Sequence, residues 1–268
     1  MSTVNGVELF YRDTGGDGPG VLCLHGKWGR GETWMDMMSR LRDRYRIIAP
    51  DQRGHGLSGR PVARYAGEDF AKDAYELMER LGLGPAVVVG HSIGGRNAAY
   101  LAALYPQAVK ALVILDAKAT GPKEPSALPP DKVSPVDGFT ADWPLPYAFY
   151  AEAVTDLGRR FPRATNVRYF LESLTETVEG YDFMFSRYAM SAIDAYYQGW
   201  HHILDQIKCP ALLVRAGESW YLSEREAGEM KRHIKDCSYL EVVKSDHMVY
   251  ADSPEEFYPP FERFIRGR

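Results

Sequence analysis

The chain has 268 residues, 45% of them hydrophobic, and a formal net charge of -4, which describes one globular domain, or one domain with an insertion, large enough for a full core. A mildly acidic balance without a long basic run excludes nucleic-acid binding on charge grounds. No uninterrupted apolar stretch reaches the length of a bilayer span.

Val4 to Arg12 predicts a hairpin, with Asn5-Gly6 as a type I′ turn. After the glycine-rich loop Gly15 to Gly20, the short apolar run Val21-Leu22-Cys23-Leu24 suits a strand buried on both faces of a parallel sheet, and it ends in His25-Gly26. Trp34 to Arg42 fits an amphipathic helix, and Arg46 to Pro50 the next strand, followed by the turn-rich Asp51 to Pro61. Glu68 to Leu83 fits a helix with Phe70, Ala74, Leu77, Met78 and Leu81 on one face. Then come a strand at Val87 to Val89, the segment Gly90-His91-Ser92-Ile93-Gly94, and a helix from about Arg96 to Leu104. Leu112 to Leu115 is another buried strand and ends in Asp116. Strands alternating with helices predict a doubly wound, mostly parallel α/β sheet with right-handed crossovers.

The pattern changes after Asp116: residues 119–146 are rich in proline and polar residues, and residues 147–205 read as aromatic-rich helices. The strand rhythm resumes at Ala211 to Val214 and Tyr239 to Val243, and amphipathic Phe257 to Ile265 closes the chain. The expected organisation is a core domain of residues 1–118 and 206–268, with residues 119–205 inserted as a helical cap. The cap aromatics, each by itself a packing residue, together imply an apolar pocket between cap and sheet.

The most informative segment is the serine between two glycines at the end of a strand. A sharp strand-to-helix turn pushes its hydroxyl out of the sheet, small neighbours avoid collision, and the following helix aims free N–H groups at the place where an oxyanion forms. Such a serine needs a base within hydrogen-bond reach. Of the seven histidines, His25 and His55 lie in turns with shaping roles, His201 and His202 on a helix, and His233 in a charged helical stretch. His91 adjoins Ser92 and should point away from it. His247 follows the last strand, at the sheet end where such folds gather their active sites, and is the expected general base. No Cys/His spacing suggests a metal site. The three scattered cysteines Cys23, Cys209 and Cys237 read as reduced thiols, and the first six residues lack a secretory pattern, so a cytoplasmic location is expected.

These motifs resemble the α/β-hydrolase superfamily, in its serine-nucleophile, esterase- and lactonase-like branch. The matching stretches are Leu24-His25-Gly26, Asp51 to Ser58, Gly90 to Gly95, and His247 followed by Asp252 to Phe257. The resemblance implies the chain order nucleophile, acid, histidine. It also implies an oxyanion hole from the backbone N–H groups of Lys27 and Ile93. Most relatives carry the acid just after the strand that matches Leu212 to Val214, but Ser219 holds that register position here. Glu218 is one candidate acid. Asp116 is the other and is preferred, because the dehalogenase branches place theirs at the corresponding strand end. Asp246 stands where relatives usually have glycine before the histidine. Lys27, Trp28 and Arg30 read either as a cationic rim for a carboxylate-bearing substrate or as solvated charge beside a packing tryptophan. Trp28 and His91 are carried as candidate substrate contacts, and Arg96 as a helix-face or salt-bridge residue.

The expected function is hydrolysis of a small or medium ester or lactone through an acyl-enzyme. Ser92 attacks, His247 moves the proton, and Asp116 or else Glu218 orients the imidazole. No metal, nucleotide or redox cofactor is called for. The partner is a small-molecule substrate, with neither nucleic acid nor membrane involved, and the sequence is silent on oligomeric state. The competing readings are a carbon–carbon bond hydrolase of the same fold, a cofactor-free perhydrolase, and a ligand receptor built on a hydrolase scaffold.

Overall fold

A computed structural model describes every residue except Pro125. Its strands are β1 (Ser2–Val4), β2 (Val7–Leu9), β3 (Tyr11–Asp13), β4 (Gly20–Leu24), β5 (Arg46–Pro50), β6 (Ala86–His91), β7 (Val109–Leu115), β8 (Leu174–Thr177), β9 (Gly180–Phe183), β10 (Ala211–Ala216) and β11 (Cys237–Val242). The strands β1 and β2 form the expected hairpin, with Asn5 and Gly6 both at positive φ (46° and 75°) as a type I′ turn demands.

Among the described residues the main sheet has seven strands in the order β11-β10-β7-β6-β4-β5-β3. Every pair is parallel except β3 with β5, at one edge. Consecutive residues of the central strands are buried on opposite faces. Val21, Cys23, Val87 and Val89 join one core, and Leu22, Leu24 and Val88 join the other. A strand covered on both faces therefore reads as continuous apolar sequence, not as an alternation.

The helix Gly67–Leu81 buries Phe70, Ala74, Leu77 and Met78. Asp69 accepts the Ala66 N–H at its first turn, and Gly82 ends it in the left-handed conformation (φ 59°). The helix Ile93–Leu104 is buried nearly all round because it lies under both the sheet and its neighbouring helix, which explains its low polarity. Among the described residues no helix is long and apolar enough to cross a membrane.

Between β7 and β10 the chain leaves the sheet. Helices Tyr150–Arg160, Ala164–Leu171, Arg187–Ala195 and His201–Leu204 lie there, as the helical reading of residues 147–205 expects. That reading missed one element, the antiparallel hairpin of β8 and β9. Its turn uses Gly180 at φ 129°, and Tyr147 pairs with Tyr181 beside it. Its residues are mostly half-exposed, so the apolar alternation that marks a strand is faint. The aromatics of this segment pack on one another: Phe161 stacks on Phe170 at 4.8 Å, and Trp143 meets the Phe170 ring at 5.1 Å. They merge with the core of one sheet face, so segment and sheet share a continuous apolar interior.

Candidate active site

Strand β6 ends at His91, and the helix Ile93–Leu104 starts one residue after Ser92. Ser92 itself holds φ 54° and ψ -120°, a strained conformation for a residue with a side chain. Its own N–H donates to the Leu115 carbonyl at 2.9 Å, which ties the turn to the end of β7. Two glycines make the bend possible. A Cβ at Gly90 would stand 2.1 Å from the Gly94 carbonyl oxygen, and one at Gly94 would stand 2.2 Å from that of Leu24.

His247 lies in the loop after β11. Its Nδ1 is 2.7 Å from Oδ2 of Asp116, at the end of β7. Asp116 is fully buried, at φ 44°. Its Oδ1 accepts the Ala216 N–H at 3.0 Å, and its Oδ2 also accepts the Ser219 hydroxyl at 2.7 Å. The other candidate acid lies elsewhere. Glu218 is mostly exposed and its carboxylate receives the Arg163 guanidinium at 2.5 Å, so it is not the carboxylate on His247. Ser219 is a residue that sequence reasoning placed without giving it work: its hydroxyl donates to Asp116 and accepts the N–H groups of Tyr221 and Leu222. Asp246 accepts the His247 N–H and donates its own N–H to Asp252, while Arg163 approaches both carboxylates at 4.0 and 3.8 Å.

Beneath Ser92 lies a set of buried histidines. His25 uses both ring nitrogens: Nδ1–H donates to the Gly26 carbonyl at 2.8 Å, and Nε2 accepts the Gln52 N–H at 2.9 Å. Gln52 returns a bond to the His25 carbonyl and accepts one from Asn97. That pattern suits a neutral imidazole, and burial brings its pKa down to about 4. His91 turns its Nε2 to the His247 carbonyl at 2.9 Å, so it braces the histidine loop and also lines the cavity described below. Burial holds His91 and His55 well below the ordinary histidine value.

The consequence is a stability that falls in mild acid. The unfolded chain protonates these groups near 6.5, whereas folded His25 waits until about 4. Between those values the unfolded state binds more protons, so stability is full above 6.5 and lost as the pH drops toward 4. His25 alone contributes on the order of 3 kcal/mol of that loss. The urea midpoint should therefore drop between about pH 7 and about pH 4.5, and a flat profile would contradict the neutral buried imidazoles.

Ser92, His247, Lys27, Ile93, Trp28 and His91 all line one cavity of about 580 Å³. Its apolar wall comes from Trp28, Phe139, Phe161, Phe170, Ile193 and Trp220. Trp28 holds φ 67° and meets Phe139 at 4.4 Å. Tyr169 donates its hydroxyl to the Lys27 carbonyl at 3.0 Å, which pins this turn from the segment above the sheet. Among the described residues neither the Lys27 nor the Ile93 N–H has a hydrogen-bond partner. The Lys27 ammonium lies over the Trp28 ring and 2.6 Å from Asp194, and Arg160 reaches the cavity from the opposite segment. Arg30 pairs with Glu32 and lies off the cavity wall. The ligand atoms of His201, Glu226 and Glu229 lie within 4.8 Å of one another, away from this wall. The Glu226 carboxylate is already taken up by the N–H groups of Ala119 and Thr120.

The family model described as alpha/beta hydrolase fold matches residues 19–254. A 2-(acetamidomethylene)succinate hydrolase of Mesorhizobium japonicum is 44% identical over 101 residues, which are 38% of this chain and 36% of that protein. The chain thus aligns with about a third of the length of that relative. The human serine hydrolase BPHL (Homo sapiens) is 28% identical over 98% of this chain and 84% of its own length. Among solved structures, that of an E-2-(acetamidomethylene)succinate hydrolase superposes with a TM-score of 0.80 at 27% identity, covering 98% of this chain and 97% of the other.

Proposed function

Because this chain belongs to the alpha/beta hydrolase fold family, we propose that it is a serine hydrolase acting on a small or medium carboxylic ester or lactone. One observation carries the reading. An imidazole anchored on a buried carboxylate and a serine on a strained elbow line the same apolar cavity.

In this mechanism the Ser92 hydroxyl attacks the substrate carbonyl while Nε2 of His247 takes its proton. Asp116 holds the Nδ1–H tautomer and stabilises the imidazolium that forms. The oxyanion is received by the N–H groups of Lys27 and Ile93, each worth roughly 2.7–4 kcal/mol in a dry site. The tetrahedral adduct collapses, His247 returns the proton to the departing alkoxide, and an acyl-serine remains. Water, deprotonated by His247, then releases the acid and restores the hydroxyl. The Trp28 to Trp220 wall excludes bulk water and seats the acyl or alcohol group. The volume suits a small or medium substrate.

Labelling with a fluorophosphonate probe beside turnover of a short p-nitrophenyl ester tests the reading. The wild-type chain should take up one label at Ser92 and hydrolyse the ester. A folded chain that does neither would overturn it.

A second reading concerns substrate charge. Lys27 and Arg160 both reach the cavity, and the Mesorhizobium relative bears the name of a succinate. An ester or amide carrying a carboxylate would meet those two cations, in competition with Asp194 for Lys27 and with Asp156 for Arg160.

A further inference from the structure

Asp246 directly precedes His247, in a position where relatives usually have glycine. Its side chain is only 14% exposed, and its Oδ1 accepts the His247 N–H at 2.7 Å. Asp252 lies deeper, at 2% exposed. Its Oδ2 accepts the Asp246 N–H at 2.8 Å, and its Oδ1 accepts the Thr165 hydroxyl. Two carboxylates largely withdrawn from water thus hold the short loop that carries His247. Hydrogen bonds alone do not settle a buried carboxylate, which also needs a counter-charge. Among the described residues Arg163 is the one cation within 4.0 Å of either group, with Nε 4.0 Å from Oδ2 of Asp246 and Nη1 3.8 Å from Oδ2 of Asp252.

Arg163 belongs to neither the loop nor the sheet. It immediately precedes the helix Ala164–Leu171, in the segment between β7 and β10. Its neighbours Phe161, Pro162 and Asn166 line the cavity beside Ser92, and Arg163 stands outside that lining. The guanidinium therefore ties the segment above the sheet to the histidine loop without facing the substrate. Its nearest carboxylate is that of Glu218, which is 60% exposed and keeps its solvation. Water can stand in for the guanidinium at Glu218 and has little room to do so at Asp252.

We propose that Arg163 is a positioning residue for His247: it neutralises the Asp246 and Asp252 pair and so keeps Asp246 on the His247 N–H. Without the guanidinium the two carboxylates that face it repel each other. Asp246, the more exposed, turns to water and releases that N–H. His247 then keeps its ring on Asp116 and its carbonyl on His91, with the backbone between Asp246 and His247 loosened. A catalytic group displaced by about 1 Å can cost on the order of 10²-fold in rate. The kinetic part of this proposal rests on the serine-hydrolase reading, and the placement of the loop does not.

Amide hydrogen exchange at His247 reads the loop with no substrate present. In Arg163→Met that N–H should exchange at least about tenfold faster than in wild type. In Arg163→Met with Asp246→Asn it should be protected again, because asparagine keeps an acceptor oxygen and removes the repulsion. In the ester assay Arg163→Met should lose at least about tenfold in kcat with KM within about twofold of wild type. Adding Asp246→Asn should bring kcat back to within about threefold of Asp246→Asn alone. Arg163→Lys keeps a cation beside both carboxylates and should stay within about threefold of wild type in both readouts. Unchanged exchange or unchanged kcat in a folded Arg163→Met, a loss confined to KM, or an equal loss with and without the Asp246 charge overturns the proposal. So does an Arg163→Lys with a tenfold loss, which decides the matter even where Arg163→Met does not fold. A wild-type chain with neither label nor turnover removes the hydrolase reading instead, and the exchange at His247 still decides what Arg163 holds.

Discussion

Replacing Ser92 with alanine should abolish ester turnover and fluorophosphonate labelling together while leaving the fold in place. The expected loss in kcat is on the order of 10⁶-fold, the scale seen when a hydrolase loses a nucleophile that acts as a unit with its base. Residual rate would come from the N–H groups of Lys27 and Ile93 and from binding in the cavity, which the substitution leaves intact. Stability should change little. The bend is held by the Ser92 N–H on the Leu115 carbonyl and by the close approach of Gly90 and Gly94, none of which needs the hydroxyl. Circular dichroism and the thermal midpoint check the fold, and a p-nitrophenyl ester assay checks the rate. A folded Ser92→Ala that kept more than about 1% of wild-type turnover would be far outside this scale and would sink the acyl-serine mechanism.

The second large effect separates two carboxylates. Asp116→Asn should cost about 10⁴-fold in kcat, whereas Glu218→Gln should stay within about twofold of wild type. The asymmetry follows from what surrounds each group. Both oxygens of Asp116 already accept from donors: Oδ1 from the Ala216 N–H, and Oδ2 from the Ser219 hydroxyl and the His247 ring. An asparagine amide would turn its NH₂ against one of those donors in either orientation, and the imidazole would lose the partner that fixes its tautomer. Glu218 is exposed and answers Arg163, so its replacement removes a surface ion pair and little else. Steady-state kinetics on the two variants decide the matter, and a loss confined to Glu218→Gln would remove Asp116 from the mechanism.

The elbow was legible in sequence because its requirement is local. A serine at positive φ between an apolar strand and a helix needs glycines at Gly90 and Gly94, and that spacing is written over a few neighbouring residues. Strand β5 was legible down to its ends, Arg46 and Pro50, since a doubly buried strand has an unbroken apolar signature. The hairpin of β8 and β9 was hidden, because half-exposed strands leave no such trace. The work of Ser219 was hidden as well, since its hydroxyl matters only through Asp116 on another strand.

What the order of residues decided alone was the doubly wound sheet and the strained serine on its central strand, both consequences of short-range sterics and of apolar runs that must be covered on two faces. Which carboxylate meets His247, and that Arg96 lies buried with no carboxylate paired to it among the described residues, came only with the folded chain. Both depend on distances between segments far apart in sequence, Asp116 to His247 at 2.7 Å and Arg96 under Phe70 and Tyr197. A residue's type tells what it can bond, and only the surrounding packing tells what is left within its reach.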